Sequence, residues 1–259
     1  ASITVSDVFD AYDKAFPEKV QKNRRLARTM LEPHFGVIRL GDLGTQAVLN
    51  FAERRKRVGA GPSTILNNLS YLRSYLAFGS QVLGVADAGA MAKIRVSAAI
   101  SLLSHNGQVA PSNTRNRRPT DEELEKMFHI FDQYAVERRD GAPMWDIVLF
   151  AIATTMRLGE IVRLDRRKIN IEERTVLITD RKDPRVKKGN DEWVPLLAGH
   201  FRFRGKVVDP LEILLRQPVR PHSPHLFFPV KTHTVSTVFC THLKGHIEDL
   251  HFHDMRHDG

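Results

Sequence analysis

The 259 residues predict a mainly α-helical protein with a small antiparallel β-sheet, arranged as two domains. Three observations lead there. Apolar residues recur at helical spacing from Ile3 to about Leu103. Ser104 to Pro119 then loses any periodic apolar face and fills with Asn, Ser, Gly, Pro, Thr and Arg. Beyond it, helical stretches are interrupted between Ile169 and Leu196 by three short β-like segments. The expected division is a helical domain over 1–105, a basic linker over 106–117 and a mixed α+β domain over 118–259.

The elements follow in order. Ile3 to Phe16 places Val5, Val8, Phe9 and Tyr12 on one helical face. A basic cluster follows at Lys22, Arg24, Arg25 and Arg28; Met30, Leu31 and Phe35 supply a buried face before Gly36. Thr45 is placed to cap a helix through Val48, Leu49 and Ala52 that ends in Arg54-Arg55-Lys56-Arg57. Gly59 to Pro62 breaks it. Ser63 or Thr64 opens the next helix, with Ile65, Leu69, Leu72 and Leu76 inward and Asn67, Asn68, Ser70 and Arg73 opposite.

In the second domain, Thr120-Asp121-Glu122-Glu123 is a capping box, and Leu124, Met127, Phe128 and Phe131 form the buried stripe behind it. Met144 to Thr154 is almost wholly apolar and reads as a buried helix. Ile169–Ile171, Thr175–Thr179 and Glu192–Leu196 read as strands, with a turn from Asp183-Pro184 to Gly189-Asn190 between the last two. Pro210 to Leu215 and Val235 to Ile247 read as helices, the latter weakened by Gly245.

Lys and Arg outnumber Asp and Glu by 39 to 30, giving a formal net charge of +9. That balance favours a polyanionic partner, nucleic acid above all. Cys240 is the only cysteine, which excludes a disulfide framework and a Cys-based zinc site and fits a reducing compartment. The chain has no charged-then-apolar leader at Ala1 and no apolar run of bilayer length, so the expected location is cytoplasmic, with no membrane partner.

Three segments carry chemistry. Arg157 follows the buried helix and precedes Gly159-Glu160, which suits a guanidinium held at a helix start; taken by itself, a structural pairing with Glu160 or Asp165 is the stronger reading. His253-Asp254-Met255-Arg256-His257 places an imidazole and a guanidinium three residues apart on one helical face, a pair able to move a proton beside a neutralised oxyanion. Metal ligation is the other reading, although the spacing matches no H-E-x-x-H pattern. Lys182 to Asn190 forms a basic hairpin tip; its lysines either reach into a groove or sit in solvent.

Together these segments resemble the tyrosine recombinases, the phage integrase family. The resemblance rests on Arg118-Pro119-Thr120-Asp121-Glu122-Glu123-Leu124, Thr155-Met156-Arg157-Leu158-Gly159-Glu160-Ile161, the hairpin ending in Val194-Pro195-Leu196, and Ile247 to His257. Four motifs in order along most of the chain are more specific than any one. The resemblance implies a core-binding helical domain and an integrase-type catalytic domain closing on duplex DNA. It implies that Arg157 and Arg256 bind the scissile phosphate, that Lys187 protonates the leaving 5′ oxygen, with Lys188 and Lys182 as alternatives, that His253 assists proton transfer and that Glu160 orients Arg157. Arg24, Arg25, Arg28, Asn67, Arg73, Arg115, Arg117, Arg118 and Lys188 are the expected DNA contacts. Strand exchange through a 3′-phosphotyrosine conserves bond energy, so the resemblance implies no cofactor and no metal. Its partners are a double-stranded recombination site and further protomers, as a tetramer on two sites.

One departure stands out. The family places its nucleophilic tyrosine beyond the H-x-x-R segment. The four tyrosines here, Tyr12, Tyr71, Tyr75 and Tyr134, all precede Arg157. The expectation is a catalytic domain incomplete at its C-terminus, which binds DNA without cutting it. A non-catalytic DNA-binding regulator descended from a recombinase is the alternative.

Overall fold

The computed structural model describes residues 2–113, 115–138, 140–181 and 189–256. The chain forms two compact units, residues 1–114 and 115–259.

The first unit is built from helices α1 (Val5–Ala15), α2 (Lys22–Phe35), α3 (Thr45–Arg57), α4 (Pro62–Val82) and α5 (Ala86–His105). Thr4 starts α1 through a capping box: its hydroxyl accepts from the Asp7 N–H at 3.3 Å, and its own N–H donates to the Asp7 carboxylate at 2.7 Å. The long helix α4 packs against α1, α2 and α5. Gly79 makes the α1 approach possible, since a β-carbon there would lie 2.3 Å from the Val8 carbonyl oxygen. Val5, Val8, Phe9, Leu31, Phe35, Val48, Leu69 and Leu72 fill the core as the helical spacing predicts.

Local details differ from the sequence reading. Thr45 is the first residue of α3 and Gly44 occupies the cap. Pro62 opens α4 with Gly61 at its cap, because proline suits the first helical turn, where its missing N–H costs nothing. Asn68 lies on the buried side of α4, not the polar one, and is only 8% exposed.

The second unit contains α6 (Asp121–Glu137), α7 (Met144–Thr154), α8 (Leu158–Ile161), strands β1 (Ile169–Asn170), β2 (Thr175–Ile178), β3 (Glu192–Pro195), β4 (Arg202–Phe203) and β5 (Lys206–Val207), then α9 (Pro210–Leu215) and α10 (Thr232–Leu243). The capping box at Thr120 and Glu123 forms as the residues predict, with bonds of 3.2 and 2.8 Å. Helix α7 is buried along most of its length and packs against α6, α9 and a 3-10 turn at Phe252–Arg256. Strands β1, β2 and β3 form an antiparallel sheet with Val176 opposite Val194 and Leu177 opposite Trp193.

Helix α10 begins three residues earlier than expected and stops at Leu243, where Gly245 takes φ +82° and turns the chain. The β4–β5 hairpin has no counterpart in the sequence reading. Its turn uses Arg204 at φ +52° and Gly205 at φ +74°. Arginine is an uncommon residue in that left-handed region. It is held there by Glu125 at 2.7 Å and by stacking over Phe128 at 4.1 Å. The Lys182–Lys188 part of the expected hairpin tip lies outside the described residues.

Candidate functional site

Helix α7 ends on a strained residue. Thr155 adopts φ +54° and ψ +15°, and its N–H donates to the Ala151 carbonyl at 2.9 Å. A β-branched residue in the left-handed region costs energy, so the surrounding structure must hold it there. The reversal buries Met156 completely and sets Arg157 at the cap of α8. Arg157 donates its backbone N–H to Glu160 at 2.9 Å and its guanidinium to the other Glu160 oxygen at 2.8 Å. Glu160 is 3% exposed, whereas the Arg157 side chain is 38% exposed. A buried carboxylate thus fixes a cation whose head still reaches solvent. Of the two structural partners the sequence offered Arg157, Glu160 is the one it meets, while Asp165 bonds Arg167.

Arg256 comes to the same place from the chain's other end. Its Nε–H donates to the Thr155 carbonyl at 2.7 Å, across 101 residues of sequence. The turn that carries it is anchored by Phe252 and Met255, both buried in the core of the second unit. Burial of each contributes about 1.5–3 kcal/mol. Phe252 meets Phe239 of α10 edge-on at 5.5 Å. Burial lowers the Arg256 pKa from its ordinary value, and the nearby charges of Arg157 and Arg181 lower it further while Glu160 opposes them. Arg157, Arg181, Glu160 and Arg256 therefore lie within electrostatic range of one another.

Arg181 was absent from the sequence-derived set. It follows β2, donates to Glu192 at 2.8 Å and approaches the buried Glu160 oxygen at 3.9 Å. Its only sequence signal was a cation at the end of a strand leading into a basic hairpin. His253 is exposed on the turn that bears Arg256. In a 3-10 turn, residues three apart eclipse, so the two share a face. Lys187 and Lys188, and Lys182 with them, lie outside the described residues. Among the described residues, no three His, Cys, Asp or Glu side chains gather as they would around a metal ion. None of the described helices is long and apolar enough to cross a membrane.

The expected DNA contacts divide by environment. Arg25, Asn67 and Arg118 are exposed. Arg73 is half-buried. Arg24 sits over the rings of Tyr12, Tyr71 and Tyr75 at 4.4, 5.1 and 5.0 Å and donates to Ser74 at 3.2 Å. With Asn67 it lines a cleft of about 430 Å³ between α2 and α4. Arg28 bonds Asp10, Asp13 and Glu32 at 2.6, 2.6 and 3.0 Å. Arg117 bonds Glu123, and Arg115 bonds Asp249 and Asp254. The linker arginines that the sequence suggested for phosphates are, for Arg115 and Arg117, held by carboxylates of their own unit.

The tyrosines are accounted for elsewhere. Tyr12, Tyr71 and Tyr75 surround Arg24, and Tyr75 also donates to Asp13 at 3.1 Å. Burial and the Asp13 charge raise its phenol well above the ordinary value. Tyr134 is buried in the second unit against the ring of His242 at 4.9 Å.

Residues 117–258 match the phage integrase family. A putative integrase/recombinase from Haemophilus influenzae is 28% identical over 145 residues, an alignment that spans 56% of this chain and 43% of that protein. The Tn1549 transposon integrase, solved in complex with a circular intermediate DNA, superposes with a TM-score of 0.68 over 99% of this chain and 85% of its own, at 14% identity. A lambda integrase dimer bound to a COC′ core site gives 0.67 over 99% and 88% at 15% identity. A lambda integrase tetramer bound to a Holliday junction gives 0.63 over 99% and 72%, also at 15%. At these identities the likeness establishes the fold: mainly helical with small antiparallel sheets, of the integrase type.

Proposed function

The chain belongs to the phage integrase family, and from that membership we propose that it binds duplex DNA and grips one backbone phosphate as part of a site-specific recombinase. The observation that carries this reading is the meeting of Arg157 and Arg256 around Glu160, fixed by the 2.7 Å bond from Arg256 to the Thr155 carbonyl. Two guanidinium groups within electrostatic range of one carboxylate, which bonds Arg157 alone of the two, leave a net positive site that suits the non-bridging oxygens of a phosphodiester.

In this reading a tyrosine oxygen attacks phosphorus, the 5′ oxygen leaves and takes a proton, and a 3′-phosphotyrosine forms. One phosphoester replaces another, so no energy source is consumed. Arg157 and Arg256 neutralise the charge that develops on the phosphate. His253, on the turn of Arg256, assists proton transfer. Lys187 is assigned the leaving-oxygen proton on the family resemblance. Arg25, Asn67 and Arg118, which are exposed, are the first choices for phosphate and base contacts, so affinity falls steeply with salt. The recombination site and a tetramer on two such sites belong to the same proposal.

On this reading the nucleophile is none of Tyr12, Tyr71, Tyr75 and Tyr134, all of which precede Arg157 in sequence and pack against other side chains. The chain as given binds DNA without forming the covalent intermediate. A nicked suicide substrate tests this directly. The 259-residue chain shifts the DNA but leaves no covalent adduct; the same chain extended by a tyrosine-bearing segment of an integrase leaves one. An adduct formed by the 259-residue chain overturns the assignment of the tyrosines, and no adduct from the extended chain overturns the recombinase reading.

A further inference from the structure

We propose that Arg115 is a positioning residue for the phosphate site: it locks the buried carboxylate of Asp254, and through it the 3-10 turn that presents His253 and Arg256. The inference rests on the recombinase reading for its consequence but on geometry for the link itself.

Arg115 Nε donates to one Asp254 oxygen at 2.6 Å and Nη2 to the other at 2.8 Å. This is the parallel two-bond geometry of a guanidinium on a carboxylate. Nη1 reaches both Asp249 oxygens at 3.0 and 3.1 Å, and Nη2 also meets the Asp249 carbonyl. The Asp254 side chain is 0% exposed. Its carboxylate additionally accepts from the His251 N–H at 2.8 Å, closing the turn on itself. One guanidinium therefore ties together both ends of the segment from Asp249 to Asp254.

The arrangement matters because of what flanks Asp254. His253 precedes it and Arg256 follows two residues later. Phe252 and Met255 hold the apolar side of the turn, but apolar contact resists sliding poorly compared with directed bonds. The Arg115–Asp254 pair supplies direction on the polar side. If it slackens, Arg256 is free to drift from the Thr155 carbonyl, and small displacements at a reacting phosphate are costly. Lysine cannot replace the fork. It keeps the charge but places a single ammonium where two parallel bonds are needed.

The test uses Arg115→Lys, Asp254→Asn and the double variant. In the 259-residue chain without DNA, hydrogen exchange at the Arg256 Nε–H is followed by nitrogen-15 NMR, with thermal unfolding as the control. Arg115→Lys is expected to speed that exchange about tenfold, the loss of one charge-assisted bond, in a chain that remains folded with near wild-type melting. Because Arg115 acts through Asp254, adding Arg115→Lys to Asp254→Asn should change the exchange by less than about twofold. In the chain extended by a tyrosine-bearing segment, single-turnover cleavage should fall about tenfold or more at unchanged DNA affinity. Unaltered exchange at Arg256 overturns the proposal. So does a loss of DNA affinity in which the salt slope drops by about one, since Arg115 would then be a phosphate contact. An extended chain without the Arg115 change that cleaves nothing, while Arg256 exchange still responds, sinks the recombinase reading and leaves the link standing.

Discussion

Arg256 donates its Nε–H to the carbonyl of Thr155 at 2.7 Å, and Thr155 lies two residues before Arg157. One carbonyl, at the strained end of α7, therefore ties the Arg256 guanidinium to the turn that leads into Arg157. The left-handed backbone at Thr155 does two jobs. It points that carbonyl at Arg256 and turns the chain so that Arg157 caps α8. The Arg157–Arg256 pair is built on a backbone feature.

Thr155 therefore gives a backbone test. Glycine accepts a positive φ without strain, so Thr155→Gly should stay within about 1 kcal/mol of wild type and keep the site. Proline cannot adopt φ +54° and lacks the N–H bonded to Ala151, so Thr155→Pro should cost about 3 kcal/mol or more. Urea unfolding of the two variants checks the contrast; equal stability of both would remove the argument.

Glu160 holds Arg157 and faces Arg181 and Arg256 from a buried position. Glu160→Gln keeps the shape but removes the charge. Losing these charge-assisted bonds should cost about 1.5–3 kcal/mol of stability. Cleavage by the chain extended with a tyrosine-bearing segment should fall at least about tenfold, the effect of misplacing one transition-state donor. Binding of DNA should not weaken, because the site becomes more positive. Calorimetry and a filter-binding titration together decide it.

Arg28 separates stability from DNA contact. Its three carboxylate partners outweigh the burial that would lower its pKa, and they hold it above the ordinary value. The pairs are partly exposed, so Arg28→Ala should cost only about 1 kcal/mol after solvent screening. Arg25→Ala should leave the melting temperature unchanged and lower DNA affinity. A fall in DNA affinity for Arg28→Ala as large as that for Arg25→Ala would make Arg28 a phosphate contact.

Acid unfolding should report Asp165. Hydrogen bonds from the Arg167 side chain and backbone N–H bring its carboxyl down to about 2 from an ordinary 3.8. A carboxyl with a depressed folded pKa stabilises the fold above the ordinary value and loses that contribution as pH falls towards the depressed one. Wild-type stability should thus drop between about pH 4 and pH 2, and Asp165→Asn should flatten that part of the curve. An identical pH dependence in the variant would mean that the pair is too solvated to matter.

What the chain discloses by itself is what short stretches decide. The capping box at Thr120, the apolar run of α7, the alternating strands around Val176 and Val194, and the proline-to-glycine breaks are all local chemistry, and they appear in the fold with shifts of a few residues. Arg157, His253 and Arg256 were legible as candidates because their spacing resembles a family pattern. Their mutual placement was not legible, because no local rule predicts that Arg256 meets the carbonyl of Thr155 or that Arg115 pairs with Asp254 139 residues away. Arg181 and the Arg204 turn escaped notice for the same reason, since each gains its role from partners brought in by packing. Burial of the α7 and 3-10 turn side chains brings the segments together. Only then does the low-dielectric surrounding make each charge seek a particular partner.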